Sequence, residues 1–217
     1  MFLPHQRRIN IQKCEKQLSL AASYAATQPR VKDAESRLAA RKKDVADQWN
    51  RVQQMISGRQ LEEATSELEN LNRFSYLLPN LAAEKERVRR LRVDSFLDQA
   101  GKEVAAQKWD AAMEAYSAAL RLDAGNTEAT RGIDSARREK EGSTAFLQAR
   151  NAFQAKGYQV AYDAVQKALA VFPTRQPYQE LARQIGADWS KVLLEEARGL
   201  SANTEGLKEN QRAMEKL

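Results

Sequence analysis

Apolar positions recur along this chain at the three-to-four spacing of an amphipathic helix, almost from end to end. Tyr178, Leu181, Ile185, Trp189, Val192 and Leu193 fall on one such face. Ala34, Leu38, Val45, Trp49, Val52 and Ile56 fall on another, interrupted by Arg41. Helix breakers divide the pattern. Pro29, Pro79 and Pro177 each open a long run, as suits a residue with no N–H to leave unpaired in a first turn. Gly125-Asn126-Thr127 opens another, with Asn126 or Thr127 able to cap through a side-chain oxygen. The runs close near Gly58, Gln107, Gly157 and Gly199, where glycine is expected to supply a left-handed residue. The pattern therefore predicts four long helices, roughly over 30–57, 80–107, 127–156 and 177–198. Three short ones, over 60–74, 108–122 and 158–171, lie between them. Gly132 and Gly142 each weaken the third long helix by about 1 kcal/mol relative to Ala, and Gly142-Ser143 is where it would kink or split.

The short segments share a phrase. They read Leu61-x-x-Ala64-x-x-x-Leu68-x-x-Leu71, Trp109-x-x-Ala112-x-x-x-Tyr116-x-x-Ala119 and Tyr158-x-x-Ala161-x-x-x-Val165-x-x-Ala168. Ala64, Ala112 and Ala161 follow one another at intervals of 48 and 49 residues. Repetition at such a period marks a stacked array of helical hairpins, each burying its apolar face on the next. The alanines allow a neighbouring backbone to approach closely, and helices this short need such packing to persist in water.

The middle of the chain resembles the tetratricopeptide repeat family. Val93–Asn126 has that family's repeat length of 34 residues. Lys108-Trp109-Asp110-Ala111-Ala112 resembles its turn and small second-helix residue, and Ala119-Leu120-Arg121-Leu122-Asp123 its closing segment. Ala100 matches the small residue of the first helix. A further unit offers Ala149, Lys156-Gly157-Tyr158, Ala161, Ala168-Leu169 and Pro173. The first unit matches less well, with Val52 and Leu71 at small positions. Each first helix is longer than the family's, which lengthens the period and leaves convergence on a generic hairpin array as the alternative. The resemblance implies an all-α helical-hairpin solenoid that binds a partner along the groove lined by its first helices. The matching positions are Asp94, Leu97, Gly101, Val104 and Ala105 in one unit, and Ser143, Phe146, Arg150, Phe153 and Gln154 in the next. On this reading Phe146 and Arg150 would grip an apolar side chain beside a carboxylate; on the other, Phe146 and Phe153 are core.

Composition narrows the chemistry. One histidine, His5, leaves no set of residues for a His-based general base or metal cluster. The lone Cys14, beside Lys13 and Lys16, reads as an incidental thiol and cannot form an intrachain disulfide. No glycine-rich phosphate loop is present, and the adjacent Glu195 and Glu196 diverge on a helix. No cofactor, metal or enzymatic activity is expected. The N-terminus has Arg7-Arg8, but Lys13, Glu15 and Lys16 interrupt any apolar signal core. A cytoplasmic location is expected, with periplasmic residence or membership of a larger membrane-anchored protein as alternatives.

The net charge of +6 is uneven: residues 1–92 carry 18 Lys/Arg against 11 Asp/Glu, and the remainder 17 against 18. Basic clusters occupy the first halves of three long helices: Arg37, Arg41, Lys42 and Lys43; Arg87, Arg89, Arg90 and Arg92; Arg131, Arg137, Arg138 and Lys140. If these halves outrun the short helices they form a basic face for an acidic protein segment, nucleic acid or anionic membrane. Otherwise they are solvated surface paired with Glu84, Glu86, Glu128 and Glu139.

The organisation expected is an N-terminal helical segment over 1–28, a repeat array over 29–202 and the start of a further helix over 203–217, belonging to a longer protein. The function expected is a non-enzymatic protein–protein interaction scaffold. An electrostatic binder of nucleic acid or membrane, or a rigid spacer, is the alternative.

Overall fold

The computed structural model describes residues 15–24 and 28–214, leaving out the side chains at 202–205, 207 and 209–214. His5, Cys14, the Arg7-Arg8 pair and Leu217 lie outside the described residues. All regular structure among the described residues is helical: α1 over 15–24, α2 Pro29–Ser57, α3 Leu61–Asn70 with a 3-10 turn Leu71–Phe74, α4 Leu81–Ala105, α5 Trp109–Leu122, α6 Thr127–Gln154, α7 Tyr158–Val171 and α8 Gln176–Met214.

The chain divides into two compact units. The first comprises residues 1–99 and 115–126, the second 100–114 and 127–217. In the first unit, Val45, Val52 and Ile56 of α2 close over Ala64 and Leu68 of α3, Leu71 and Phe74 of the 3-10 turn, and Leu81 and Val88 of α4. In the second, Ala149 of α6, Ala161, Ala164 and Val165 of α7, and Leu181 and Ile185 of α8 form one buried cluster. Ala145, Ala168 and Tyr178 form another. No charged or polar residue is buried among the described residues.

Each repeated phrase begins on the first residue of a short helix, at Leu61, Trp109 and Tyr158. The turn before each is the same structure. The sixth-to-first hydrogen bonds run from Gln60, Lys108 and Gly157 N–H to the Met55, Glu103 and Ala152 carbonyls, at 2.9 Å in every case. The inner bonds run from Arg59, Gln107 and Lys156 N–H to Ile56, Val104 and Phe153. Both are the bonds of a Schellman termination. Its left-handed residue is Arg59 (φ 58°), Gln107 (φ 56°) or Lys156 (φ 59°), and no described glycine has positive φ. The expectation for Gly58 and Gly157 was thus one residue out: Gly58 precedes the left-handed position (φ −79°) and Gly157 follows it (φ −82°). The hydrogen-bond ring sets which residue turns over, and three long polar side chains accept it.

The long helices largely follow the expected bounds, with two differences. α6 runs unbroken through Gly142-Ser143. Gly142 is buried, and a Cβ there would lie 2.9 Å from the Phe172 ring. Its role is close approach, not bending. α8 does not end near Gly199 but continues to Met214, so the expected boundary at 202/203 falls inside a helix. The residues that would drive a fold-back have changed. Val52, Ala100 and Ala149 are fully buried on the three earlier long helices, but the corresponding residue of α8 is Arg198. Ala64, Ala112 and Ala161 are fully buried on the short helices, and the corresponding residue is Asn210. With polar groups at both contact positions, a returning helix would bury them unpaired, and the straight helix wins.

Candidate functional site

The basic clusters would form one open face only if their halves of the long helices outran the short ones. Three of their arginines instead stand level with the last turn of the following short element, each 33 residues downstream. The Arg41 guanidinium lies 5.0 Å from the Phe74 ring centroid. Arg89 donates to the Leu122 carbonyl at 2.7 Å, and Arg138 to the Val171 carbonyl at 3.4 Å while lying 5.6 Å from the Phe172 ring. Leu122 and Val171 are the last residues of α5 and α7, so Arg89 and Arg138 cap orphaned carbonyls at the negative end of the helix dipole. This periodic contact was visible in the sequence only as a charge cluster.

Other members of the clusters also have intramolecular partners. Arg37 pairs with Asp33, Lys42 with Glu15, Arg87 with Glu84, and Arg137 with Asp134. Arg89 and Arg90 share Glu86, whose carboxyl falls to about 2 because first Arg89 and then Arg90 hydrogen-bond to its ionised form. Two pairs cross between helices at equal sequence separation. Arg92 on α4 donates to Glu62 on α3, from Nη2 to both carboxylate oxygens at 2.7 and 2.8 Å and from Nε at 3.1 Å, and Lys140 on α6 reaches Asp110 on α5 at 2.6 and 2.8 Å. At the third equivalent position the charges are replaced by Gln159 and Trp189, and Trp189 packs 5.8 Å from the Tyr162 ring. Lys43 is exposed on α2.

The groove residues expected on α6 separate into two kinds. Phe146 stacks on Tyr178, with centroids 4.7 Å apart and planes at 24°, and packs against both buried clusters of the second unit. Phe153 meets Tyr158 edge-on at 6.1 Å. Both rings thus contribute to the hairpin packing. Arg150 and Gln154 are exposed on the same helix, and Leu97 on α4 is half-buried.

A cleft of about 600 Å³ opens in the second unit, lined by Met113 of α5, Arg137, Lys140, Glu141, Thr144, Ala145 and Gln148 of α6, and Lys167 and Val171 of α7. Ala145, Met113 and Val171 make an apolar floor. Three cationic side chains stand over it against a single carboxylate. A cleft of about 410 Å³ in the first unit is lined in a related way by Thr65, Leu68, Lys85, Arg89, Arg92 and Leu122, but Glu69 and Glu86 enter its wall and offset most of its positive charge. Met113, Thr144, Gln148 and Lys167 were not singled out from sequence. Lys167 occupies an unspecified position of the third phrase, between Val165 and Ala168, so the repeat pattern carried no signal for it. Among the described residues no group of His, Cys, Asp and Glu is arranged to hold a metal ion, and no helix is long and apolar enough to cross a membrane. No family model matches the chain, and neither a curated protein nor a solved structure matches it.

Proposed function

We propose that this chain is a non-enzymatic interaction scaffold built on tetratricopeptide-like hairpins, and that the cleft between α5, α6 and α7 receives an acidic peptide segment. The observation that carries the reading is the cleft itself: an apolar floor edged by Arg137, Lys140 and Lys167 beside Glu141, with Lys140 held by Asp110 and Arg137 by Asp134, so that Lys167 is the cation best placed to meet a ligand carboxylate. An extended segment that places an aliphatic side chain over Ala145 and a carboxylate near Lys167 would satisfy both features. Long, flexible lysine stems also let the rim adjust to a chain of variable sequence. The internal pairing of Arg37, Arg87, Arg89, Arg90 and Arg92 weighs against a face dedicated to nucleic acid or anionic lipid, because those charges are already partly spent within the fold. Arg137 and Lys140 are paired likewise, so the cleft reading rests on Lys167 and the apolar floor.

Titration of the whole chain with a fluorescent peptide alternating Glu and Leu tests this directly. Saturable binding is expected, weakened at least tenfold by Lys140→Glu with Lys167→Glu and unchanged by Lys43→Glu. Binding that responds equally to all three substitutions would reduce the cleft to general electrostatics. Tight, salt-sensitive binding to duplex DNA or anionic vesicles, lost with Arg87→Glu and Arg90→Glu, would favour the alternative reading.

A further inference from the structure

We propose that the distal half of α8 pairs with the same segment of a second copy of the chain, as a parallel, in-register two-stranded helix. The first half of α8 is packed: Tyr178, Leu181 and Ile185 are buried. Val192 is still half-buried, but beyond it Leu193, Leu194 and Leu200 are 49%, 53% and 71% exposed. Leu193 and Leu200 follow Trp189 on one face of the helix, four and eleven residues on, so α8 carries an apolar seam past the end of its own packing.

The missing cover is not the chain's own next hairpin helix. Forty-nine residues earlier, α6 turns Ala145, Phe146, Ala149 and Phe153 toward its short partner α7. The corresponding α8 residues are Leu194, Glu195, Arg198 and Ala202, and Glu195 and Arg198 pair with each other at the surface at 2.8 Å. Conversely, Leu193 and Leu200 stand where α6 exposes Thr144 and Asn151. The hairpin side of α8 has thus lost Phe146 and Ala149 to charged residues, keeping Leu194 and Ala202, while leucines have appeared on the face that α6 leaves polar.

Its spacing names the partner. Leu193, Leu200, Leu207 and Met214 recur every seven residues in the sequence, with Ala197, Thr204 and Gln211 between them at the alternate core position. That is the spacing of a two-stranded coiled coil, and in-register pairing sets each leucine beside its equivalent. Charge agrees. Residues 190–214 hold four Lys/Arg (Lys191, Arg198, Lys208, Arg212) and four Asp/Glu (Glu195, Glu196, Glu205, Glu209), a neutral arm on a chain of net charge +6. A polyanion would find little to attract it there. In parallel register the flanking positions oppose Glu196 to Ser201 and Asn203 to Lys208, with no like charges facing. Gly199 and Gly206 both sit in this arm and weaken an isolated helix, so a partner is what would hold it.

Analytical ultracentrifugation of the full chain tests the pairing. A concentration-dependent species of twice the 24.5 kDa chain mass is expected. Leu193→Glu with Leu200→Glu, both at exposed sites, should return it to monomer with the far-UV circular dichroism of the remaining helices retained. Leu147→Glu, at an exposed leucine of α6, should leave the dimer intact. In a Cys14→Ser background, Ala197→Cys should cross-link two chains on mild oxidation. A monomer at the highest attainable concentration overturns the proposal. So does a dimer that survives the double substitution, one lost equally with Leu147→Glu, or one that Ala197→Cys fails to cross-link.

Discussion

Phe172 closes directly over Gly142: a Cβ at position 142 would lie 2.9 Å from the ring's Cδ2 and 3.4 Å from the Tyr178 hydroxyl. The ring belongs to the turn between α7 and α8, so this single hydrogen-for-methyl difference governs how closely that turn rests on α6. Gly142→Ala is expected to destabilise the protein by about 1–3 kcal/mol through overpacking, despite alanine's better helix propensity. Chemical denaturation of the two proteins measures it. A gain in stability would show that the ring moves aside freely.

The three Schellman turns place non-glycine residues in the left-handed region. Each bears a cost of about 1 kcal/mol that glycine would relieve. Arg59→Gly, Gln107→Gly and Lys156→Gly are each expected to raise the melting temperature by about 2–4 °C, and their effects should add because the sites are separate in sequence and local in action. A calorimetric series of single and combined variants checks both statements.

Arg175 fastens the turn between α7 and α8. It is bidentate to Glu139 at 2.9 and 2.7 Å, donates to the Tyr178 hydroxyl at 3.2 Å and lies 3.9 Å over the Phe172 ring. A lysine keeps the charge but loses the planar fork and the stacking. Arg175→Lys is therefore expected to cost about 1–2 kcal/mol, after allowance for the partial exposure of the pair. Urea unfolding should show the loss with an unchanged slope.

Glu86 supplies a pH signature in the first unit. Its carboxyl is lowered from 4.5 to about 2 by hydrogen bonds from Arg89 and then Arg90. A carboxyl depressed by folding stabilises above its unfolded value, and that contribution disappears as pH falls toward its folded value. The melting-temperature difference between the wild type and Glu86→Gln should be constant above about pH 5 and shrink to nothing near pH 2. Because the group is exposed, the plateau should be small and should diminish with added salt.

Ala112 and Ala161 are fully buried at the same point of the second and third phrases. Leucine at either position is expected to cost about 1–3 kcal/mol. A melting temperature unmoved by both would show that the phrase does not mark a tight contact.

Helix content, and the start of each short helix, were legible because they depend on local spacing. Apolar residues three and four apart must share a face, and Pro29 cannot sit inside a preceding turn. Tyr158 consequently opens its helix as expected, and Leu61 and Trp109 open theirs one residue after the expected starts at 60 and 108. What the sequence could not decide was every outcome that depends on a neighbour. The left-handed residue fell on Arg59, Gln107 and Lys156 because a hydrogen-bond ring, and not glycine content, sets that position. Gly142 became a seat for Phe172 and Arg89 a helix cap for Leu122, through contacts some 30 residues apart in the chain. α8 ran straight through Gly199 and Gly206 because Arg198 offers no contact for a returning helix, a comparison that only the burial of Val52, Ala100 and Ala149 made meaningful. Local periodicity is written into adjacent side chains; the use to which a charge or a glycine is put depends on what folding brings within a few ångströms of it.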